Sequence, residues 1–223
     1  MNQKLIAIDL DGTTLNANSE LTQETIDTLH AVQKLGHKVA IVTGRPYRSS
    51  KEIYNQLNLG GPIVNFNGAL CHIPSKPEWD GRYHITLDTE LVLDLVAFNK
   101  TLPVDYLMVE GTELMYSNIT ELPDCPYYPK DQKPLLIHPT TKLKEKPTAV
   151  ALFSDLELQS EIKKKILHRY NNGIEVRTWG GSYPCLEVIT SGIHKAKAVE
   201  HLSRYYDIHQ KDILAFGDED NDM

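Results

Sequence analysis

Two aspartates separated by a single residue, Asp9 and Asp11, follow an apolar run close to the amino terminus. A continuous apolar run is typical of a buried parallel strand, and such sheets bind ligands at the carboxyl ends of their strands. Side chains two positions apart share a side of the strand, so both carboxylates would enter one crevice while Leu10 points away. Carboxylates this close repel each other unless a cation or a shared proton neutralises them. The spacing therefore indicates metal-assisted chemistry in which one carboxylate can attack.

Further polar segments stand where other strands are predicted to end or a helix to begin. They are Thr43-Gly44-Arg45, Lys195, and Gly217-Asp218 with Asn221-Asp222. Gly12, directly after the second aspartate, allows a sharp turn in which nearby backbone N–H groups can face an anion. Lys197 is an alternative to Lys195 as the cation of the site. Together these residues predict a site for an anionic ligand at one edge of a sheet.

The elements that must position these residues first alternate between strands and helices. The predicted strands are Lys4–Leu10, Lys38–Val42 and one starting at Pro62–Val64, with helices over Thr22–Leu35 and Tyr47–Leu57. This order indicates βαβ units and a parallel sheet with right-handed crossovers. The alternation of helix and strand resumes later in the chain, with a predicted helix over Lys195–Tyr206 and a predicted buried strand over Asp212–Phe216.

Between these two parts the pattern changes to helix–strand–strand, and it does so twice. The predicted elements are Glu90–Thr101, Val104–Val109, Glu113–Tyr116, Thr148–Phe153, Leu156–Tyr170, Ile174–Thr178 and Cys185–Ile189. Both strand pairs are expected to be antiparallel. We therefore predict an α/β protein whose Rossmann-like parallel-sheet core, residues 1–81 and 190–223, is interrupted by an inserted α+β domain over residues 82–189.

Composition narrows the functional classes. The chain has 223 residues, of which 41% are hydrophobic and 24% charged, and its net charge is −7. This acidic balance argues against nucleic-acid binding, which needs a stripe of Lys and Arg. The three cysteines, Cys71, Cys125 and Cys185, are far apart, which is typical of a reducing compartment. No stretch approaches membrane-spanning length, so we predict a cytoplasmic protein without a nucleic-acid or membrane partner. The oligomeric state stays open.

Taken in order, the motifs resemble those of the haloacid dehalogenase-like (HAD) phosphatase superfamily. The matching segments are Asp9-x-Asp11-Gly-Thr13, Thr43-Gly-Arg45, Asn67-Gly-Ala69, Lys195 and Gly217-Asp218-x-x-Asn221-Asp222. With the α+β insert, they look like the Cof-type branch with a C2-type cap. The resemblance covers the whole chain and implies Mg²⁺-dependent hydrolysis of small phosphorylated metabolites, such as sugar phosphates, through an aspartyl-phosphate. Residues 82–189 would be the cap domain over the crevice.

The resemblance also implies a role for each motif residue. Asp9 would be the nucleophile, and Asp11 the acid that protonates the leaving group and later the base that activates water. The phosphate-binding residues would be Thr43, Gly44, Lys195 and Asn221. The Mg²⁺ residues would be Asp9, Asp11 through its backbone carbonyl, Asp218 and, nearby, Asp222. Arg45 and Asn67 would lie on the substrate side.

One departure from the family pattern leaves alternatives open. In similar proteins several tens of residues follow the fourth motif, so we expect this chain to be truncated at its C-terminus, naturally or as an artefact. Such a chain would bind Mg²⁺ weakly, turn over poorly and tend to associate. Alternative functions are a phosphosugar mutase of the same superfamily and a catalytically impaired remnant that binds a phospho-ligand. A response-regulator-like phospho-acceptor is disfavoured by the large insert and by the second aspartate, Asp11.

Overall fold

The computed structural model describes residues 2–123, 132–170, 172–179 and 183–218. The strands are β1 Leu5–Ile8, β2 Lys38–Val42, β3 Ile63–Asn65, β4 Leu70–His72, β5 Tyr83–His84, β6 Tyr106–Glu110, β7 Met115–Ser117, β8 Leu135–Leu136, β9 Ala149–Phe153, β10 Ile174–Trp179, β11 Cys185–Thr190 and β12 Ile213–Phe216. The helices are α1 Gln23–Lys34, α2 Tyr47–Leu57, α3 Thr89–Phe98, α4 Leu156–Arg169 and α5 Lys195–Tyr205. The predicted mixed α/β fold class is confirmed.

The chain divides into two compact units. Unit 1 consists of residues 1–84 and 193–223, and unit 2 of residues 85–192. The sequence-based prediction placed the two borders after residues 81 and 189, each about three residues earlier along the chain. That unit 2 serves as a cap stays a prediction.

Unit 1 is built on a six-stranded sheet with the order β12-β1-β2-β3-β4-β5. Strands β12, β1, β2 and β3 are parallel, and Ile8 of β1 pairs with Phe216 of β12 and with Ile41 of β2. This register brings the carboxyl ends of the strands to one edge of the sheet. A buried apolar cluster that includes Leu5, Val64 and Leu202 packs β1, β3 and α5 together. The sheet therefore holds the predicted motif residues at a single edge.

Two features of this sheet differ from the sequence-based expectation. Strand β12 was predicted to be buried, but Leu214 and Phe216 are 41% and 51% exposed. The reason is that β12 lies at the end of the strand order and pairs with β1 alone among the described strands. The antiparallel strands β4 and β5 were not predicted, because each is only two or three residues long and lacks an alternating pattern.

Unit 2 contains a second six-stranded sheet, with the order β10-β11-β9-β6-β7-β8. The predicted antiparallel pairs are present as β6 with β7 and β10 with β11. A buried apolar cluster joins the sheet to α3 and α4 and includes Leu95, Leu152 and Ile162. Within the described part of the chain, no helix combines the length and apolar character needed to cross a membrane.

Candidate active site

Asp9 and Lys195 form a buried ion pair at the carboxyl end of β1. The Lys195 Nζ lies 3.0 Å from Asp9 Oδ1, and the two side chains are only 6% and 7% exposed. The backbone N–H of Asp9 donates to the carbonyl oxygen of Phe216 at 3.0 Å, which ties the residue to the end of β12. A charge removed from water this completely needs a partner, and the pair supplies one to each group. The contact also selects Lys195, since Lys197 is exposed.

The amino terminus of α5 sets the position of Lys195. His194 caps the helix, because its Nδ1 accepts from the backbone N–H of Lys197 at 3.3 Å. Gly68 approaches the same point, and a Cβ added there would lie 2.7 Å from the carbonyl oxygen of His194. Its φ of +112° also favours glycine. The Asn-Gly turn after β3 is therefore part of what places the lysine, a role that the sequence did not reveal.

Asp11 and Arg45 form a second, more exposed ion pair. Arg45 Nε donates to Asp11 Oδ2 at 2.8 Å, and its Nη2 donates to Asp11 Oδ1. The side chain of Arg45 is 28% exposed and that of Asp11 is 52% exposed. A two-point guanidinium–carboxylate contact fixes the orientation of both groups. This pairing was not predicted, because motif spacing gives no information on which polar side chains meet.

The segments that follow β2 and β3 are joined by backbone hydrogen bonds. The N–H of Thr43 donates to the carbonyl of Val64 at 2.9 Å, and that of Asn67 donates to the carbonyl of Thr43 at 3.1 Å. Thr43 Oγ1 accepts from the backbone N–H of Arg45 at 3.1 Å. Thr43 and Asn67 are buried, whereas Gly44 is half-buried. The structure thus brings these predicted phosphate- and substrate-side residues into one connected turn region.

Asp218 lies against the turn that follows Asp9. Gly12 has a φ of +69°, and a Cβ added to it would overlap the Asp218 carboxylate. Thr13 Oγ1 lies 3.5 Å from Asp218 Oδ1. Only a glycine leaves the space that this carboxylate fills, so Gly12 serves both the turn and the approach of Asp218. The predicted site residues Asn221 and Asp222 lie outside the described residues.

The donor set at this edge fits Mg²⁺. Asp9 and Asp218 follow neighbouring parallel strands, and the carboxylate cradle at Gly12 holds Asp218 beside the Asp9–Asp11 segment. Carboxylate and backbone oxygens are the ligands that Mg²⁺ takes, and the ion keeps several waters. The described residues contain no group of three or more His, Cys, Asp or Glu side chains arranged to hold a metal. Asp9, Asp218 and nearby backbone oxygens are donors of the kind that Mg²⁺ takes together with water.

A cavity of about 550 Å³ in unit 1 opens beside the buried ion pair. Its lining includes Asp9, Lys195 and apolar side chains of β1, β12 and α5 such as Ala7, Ala215 and Val199. A second cavity, of about 440 Å³, is lined by other residues, among them Trp79 and Tyr206. Of these two cavities, only the larger one is lined by Asp9 and Lys195.

Two known phosphatases are similar to this chain in sequence over nearly its whole length. The chain is 34% identical over 220 residues to the 5-amino-6-(5-phospho-D-ribitylamino)uracil phosphatase YitU of Bacillus subtilis, covering 98% of this chain and 81% of that protein. It is 26% identical over 238 residues to the HMP-PP phosphatase of Yersinia pestis, covering 98% of this chain and 78% of that protein.

Solved structures show the same fold. A haloacid dehalogenase-like hydrolase from Bacteroides thetaiotaomicron superposes with a TM-score of 0.80 at 20% identity, covering 99% of this chain and 84% of that one. TM0651 from Thermotoga maritima gives a TM-score of 0.76 at 21% identity, covering 99% and 82%. Residues 6–223 match the family described as haloacid dehalogenase-like hydrolase. The motifs, the fold and these matches agree, and the chain belongs to the haloacid dehalogenase-like hydrolase family.

Proposed function

We propose that this family member is a phosphatase that hydrolyses small phosphorylated metabolites with Asp9 as its nucleophile. The observation that carries the proposal is the buried contact between Asp9 and Lys195 at 3.0 Å, beside a second carboxylate. The names of the relatives support the reaction class, since both YitU and the Yersinia protein are named as phosphatases. A cytoplasmic location stays a prediction.

The proposed reaction has two steps. A carboxylate oxygen of Asp9 attacks phosphorus, the bond to the ester oxygen breaks, and Asp11 gives its proton to the departing alkoxide. Asp11 then takes a proton from water, and the water oxygen attacks the phosphorus of the aspartyl-phosphate. The bond between phosphorus and the Asp9 oxygen breaks, which frees the Asp9 carboxylate and releases inorganic phosphate. Lys195 and the Thr43 hydroxyl would offset the charge that develops on the phosphoryl oxygens. Arg45 would orient Asp11 through its two N–H donors.

Mg²⁺ would be held by Asp9, the backbone carbonyl of Asp11 and Asp218. The ion would neutralise phosphoryl charge, which is a main requirement of phosphoryl transfer. We also infer that unit 2 acts as the cap that excludes water and selects the substrate. Because the relatives act on different phosphates, the substrate of YitU is one compound to test among several phosphorylated metabolites.

The test compares the wild type with Asp9→Asn in the hydrolysis of an aryl phosphate, with and without Mg²⁺. Asp27→Asn is the matched control, because Asp27 is an exposed acid on α1. We expect turnover that needs Mg²⁺, a loss of at least about 10³-fold in Asp9→Asn, and no change in the control. Turnover in Asp9→Asn above about a tenth of the wild-type rate would contradict the role of Asp9.

A further inference from the structure

A group of buried polar side chains lies in unit 1 behind the turn that carries Thr43 and Arg45. It consists of Asn65, Ser50 and His72, and we call it the Asn65 network. Asn65 and Ser50 are fully buried and His72 is 8% exposed. Asn65 ends β3, Ser50 lies in the first turns of α2, and His72 ends β4. Buried amide and imidazole groups are costly unless they are hydrogen-bonded, so their partners define what the network does.

The orientation of the Asn65 amide follows from its partners. Its Nδ2 donates to the carbonyl oxygen of Arg45 at 2.9 Å and to Ser50 Oγ at 2.9 Å. A carbonyl oxygen can only accept, so nitrogen must face it and Oδ1 must face His72 Nε2, which lies 3.2 Å away. Since an amide oxygen also only accepts, His72 Nε2 carries the hydrogen. Burial lowers the pKa of His72 to about 4, and the ring is therefore neutral near pH 7.

The network holds the backbone of Arg45 from one side. The carbonyl of Arg45 accepts from Asn65 Nδ2 and, at 3.3 Å, from the backbone N–H of Phe66. Its N–H donates to Thr43 Oγ1. Ser50 Oγ contacts the carbonyls of Pro46 and Tyr47 at 3.2 Å each and so links the network to the start of α2. The backbone N–H and the backbone carbonyl of Arg45 are therefore both held by hydrogen bonds. This fixes the position from which the Arg45 side chain extends to Asp11.

We propose that Asn65 is a positioning residue of this active site and that it acts on Asp11 through Arg45. The inference rests on the proposed function, in which Asp11 is the acid and base. The side chain of Asn65 bonds to Arg45, Ser50 and His72, and its path to the carboxylate therefore runs through Arg45. A displacement of about 1 Å at a positioning group costs up to about 10²-fold in rate. Loss of the amide should therefore lower kcat more than it changes KM.

The kinetic experiment is a double-mutant cycle of Asn65→Ala with Arg45→Ala, read as kcat and KM for an aryl phosphate. We expect Asn65→Ala to lower kcat about tenfold in the wild-type background and less than about twofold in the Arg45→Ala background. Tyr54→Phe is the matched control, because it removes another side-chain bond to a loop carbonyl, from Tyr54 Oη to Gly61 at 2.8 Å, at the opposite end of β3. Independent effects of the two alanine substitutions, or an equal loss of kcat in the control, would overturn the proposal.

A second pair of variants removes the risk that Asn65→Ala does not fold. His72→Phe keeps a ring next to Tyr47, whose ring centroid lies 4.7 Å from that of His72, but it cannot donate to Asn65. His72→Gln retains a side-chain N–H. We expect kcat to fall several-fold in His72→Phe and to recover toward the wild-type value in His72→Gln. Equal kcat in the wild type and His72→Phe would contradict the proposal that the hydrogen bond from His72 to Asn65 helps to position Arg45.

Amide hydrogen exchange separates this inference from the proposed function. We expect Asn65→Ala or His72→Phe to speed the exchange of the Arg45 and Phe66 amides, while Tyr54→Phe leaves both unchanged. If the wild type has no phosphatase activity but these amides respond, the proposed function fails and the positioning contact stands. If the exchange of both amides is unchanged in both variants, the proposal is wrong whatever the activity.

Discussion

The active-site edge of unit 1 has a buried half and an exposed half, and each contains one ion pair. In the buried half, Asp9 and Lys195 are almost fully shielded from water. In the exposed half, Asp11 and Arg45 make a contact of similar length but remain open to solvent. Water screens the second pair and leaves it with a small net energy, whereas the first pair carries a desolvation cost that the attraction between its two charges helps to offset.

The difference assigns the two halves different tasks. A buried pair cannot lose one member without leaving an uncompensated charge, so the position of Asp9 is fixed by the stability of the fold. The exposed pair gains little net energy from its contact, so losing one of its members should cost the fold little. Asp9 is thus held by a buried contact, and Asp11 by a solvent-exposed two-point contact with Arg45.

The largest expected effect comes from removing the cation of the buried pair. Lys195→Met keeps the length of the side chain but removes the cation that contacts the buried Asp9. We expect a loss of about 3–5 kcal/mol in the free energy of unfolding, measured by urea denaturation at pH 7. The exposed Lys211 provides the matched variant, Lys211→Met, which should lose less than about 0.5 kcal/mol. Equal free energies of unfolding for the two variants would show that the buried ion pair does not contribute more to stability than an exposed lysine does.

The next effect is a pH dependence that originates at His72, in the Asn65 network behind the exposed half. The pKa of His72 is about 4 in the folded protein, lowered chiefly by burial, against 6.5 in the unfolded chain. The unfolded chain therefore takes up the proton first, and stability is lost as the pH falls from about 6.5 to about 4. The full shift corresponds to about 3 kcal/mol.

Urea denaturation at several pH values between 7.5 and 4.5 should show this loss in the wild type. His72→Gln cannot titrate, so its stability should decline less over the same range, while the exposed control His168→Gln should follow the wild type. Parallel pH profiles for the wild type and His72→Gln would show that His72 does not contribute.

The smallest effect belongs to the exposed half, at Gly12. Gly12→Ala and Gly36→Ala both place alanine at a positive φ, +69° and +88°, and share a strain of about 1–2 kcal/mol. Only Gly12→Ala would also overlap Asp218, because a Cβ at Gly36 meets nothing within 4 Å. We expect Mg²⁺ to bind more weakly to Gly12→Ala in a calorimetric titration and with unchanged affinity to Gly36→Ala. Equal Mg²⁺ affinities of the two variants would show that Asp218 is not a ligand of the metal.

Local sequence was sufficient for most elements of the fold. Strand β2 begins and ends at the predicted residues, because a buried apolar run bounded by polar residues has few alternatives. Strand β12 was misjudged as buried for a related reason, since an apolar run does not reveal whether a strand has neighbours on both sides. The antiparallel strands β4 and β5 are too short to leave a periodic pattern.

For the candidate site, the sequence predicted which residues take part but not all of the contacts between their side chains. Motif order indicated which residues would meet at the sheet edge, and the structure brings Asp9 to Lys195 and Asp218 to Gly12. The pairing of Arg45 with Asp11 and the bonds of Asn65 depend on side-chain directions set by the tertiary structure. The spacing of residues along the sequence does not predict these side-chain directions.

The pairing of β1 with β12 has a consequence for how the chain is synthesised. Leu5 pairs with Lys38 of β2 on one side and with Ile213 of β12 on the other, so one edge of the first strand has no partner until the last described strand has been made. Unit 2 is a continuous segment, residues 85–192, and its strands pair among themselves. Because domains fold as units during synthesis, we expect unit 2 to fold on the nascent chain while β1 still has an open edge. Asp9 would then meet Lys195 and β12 only after unit 2 has folded, when both of those segments have emerged.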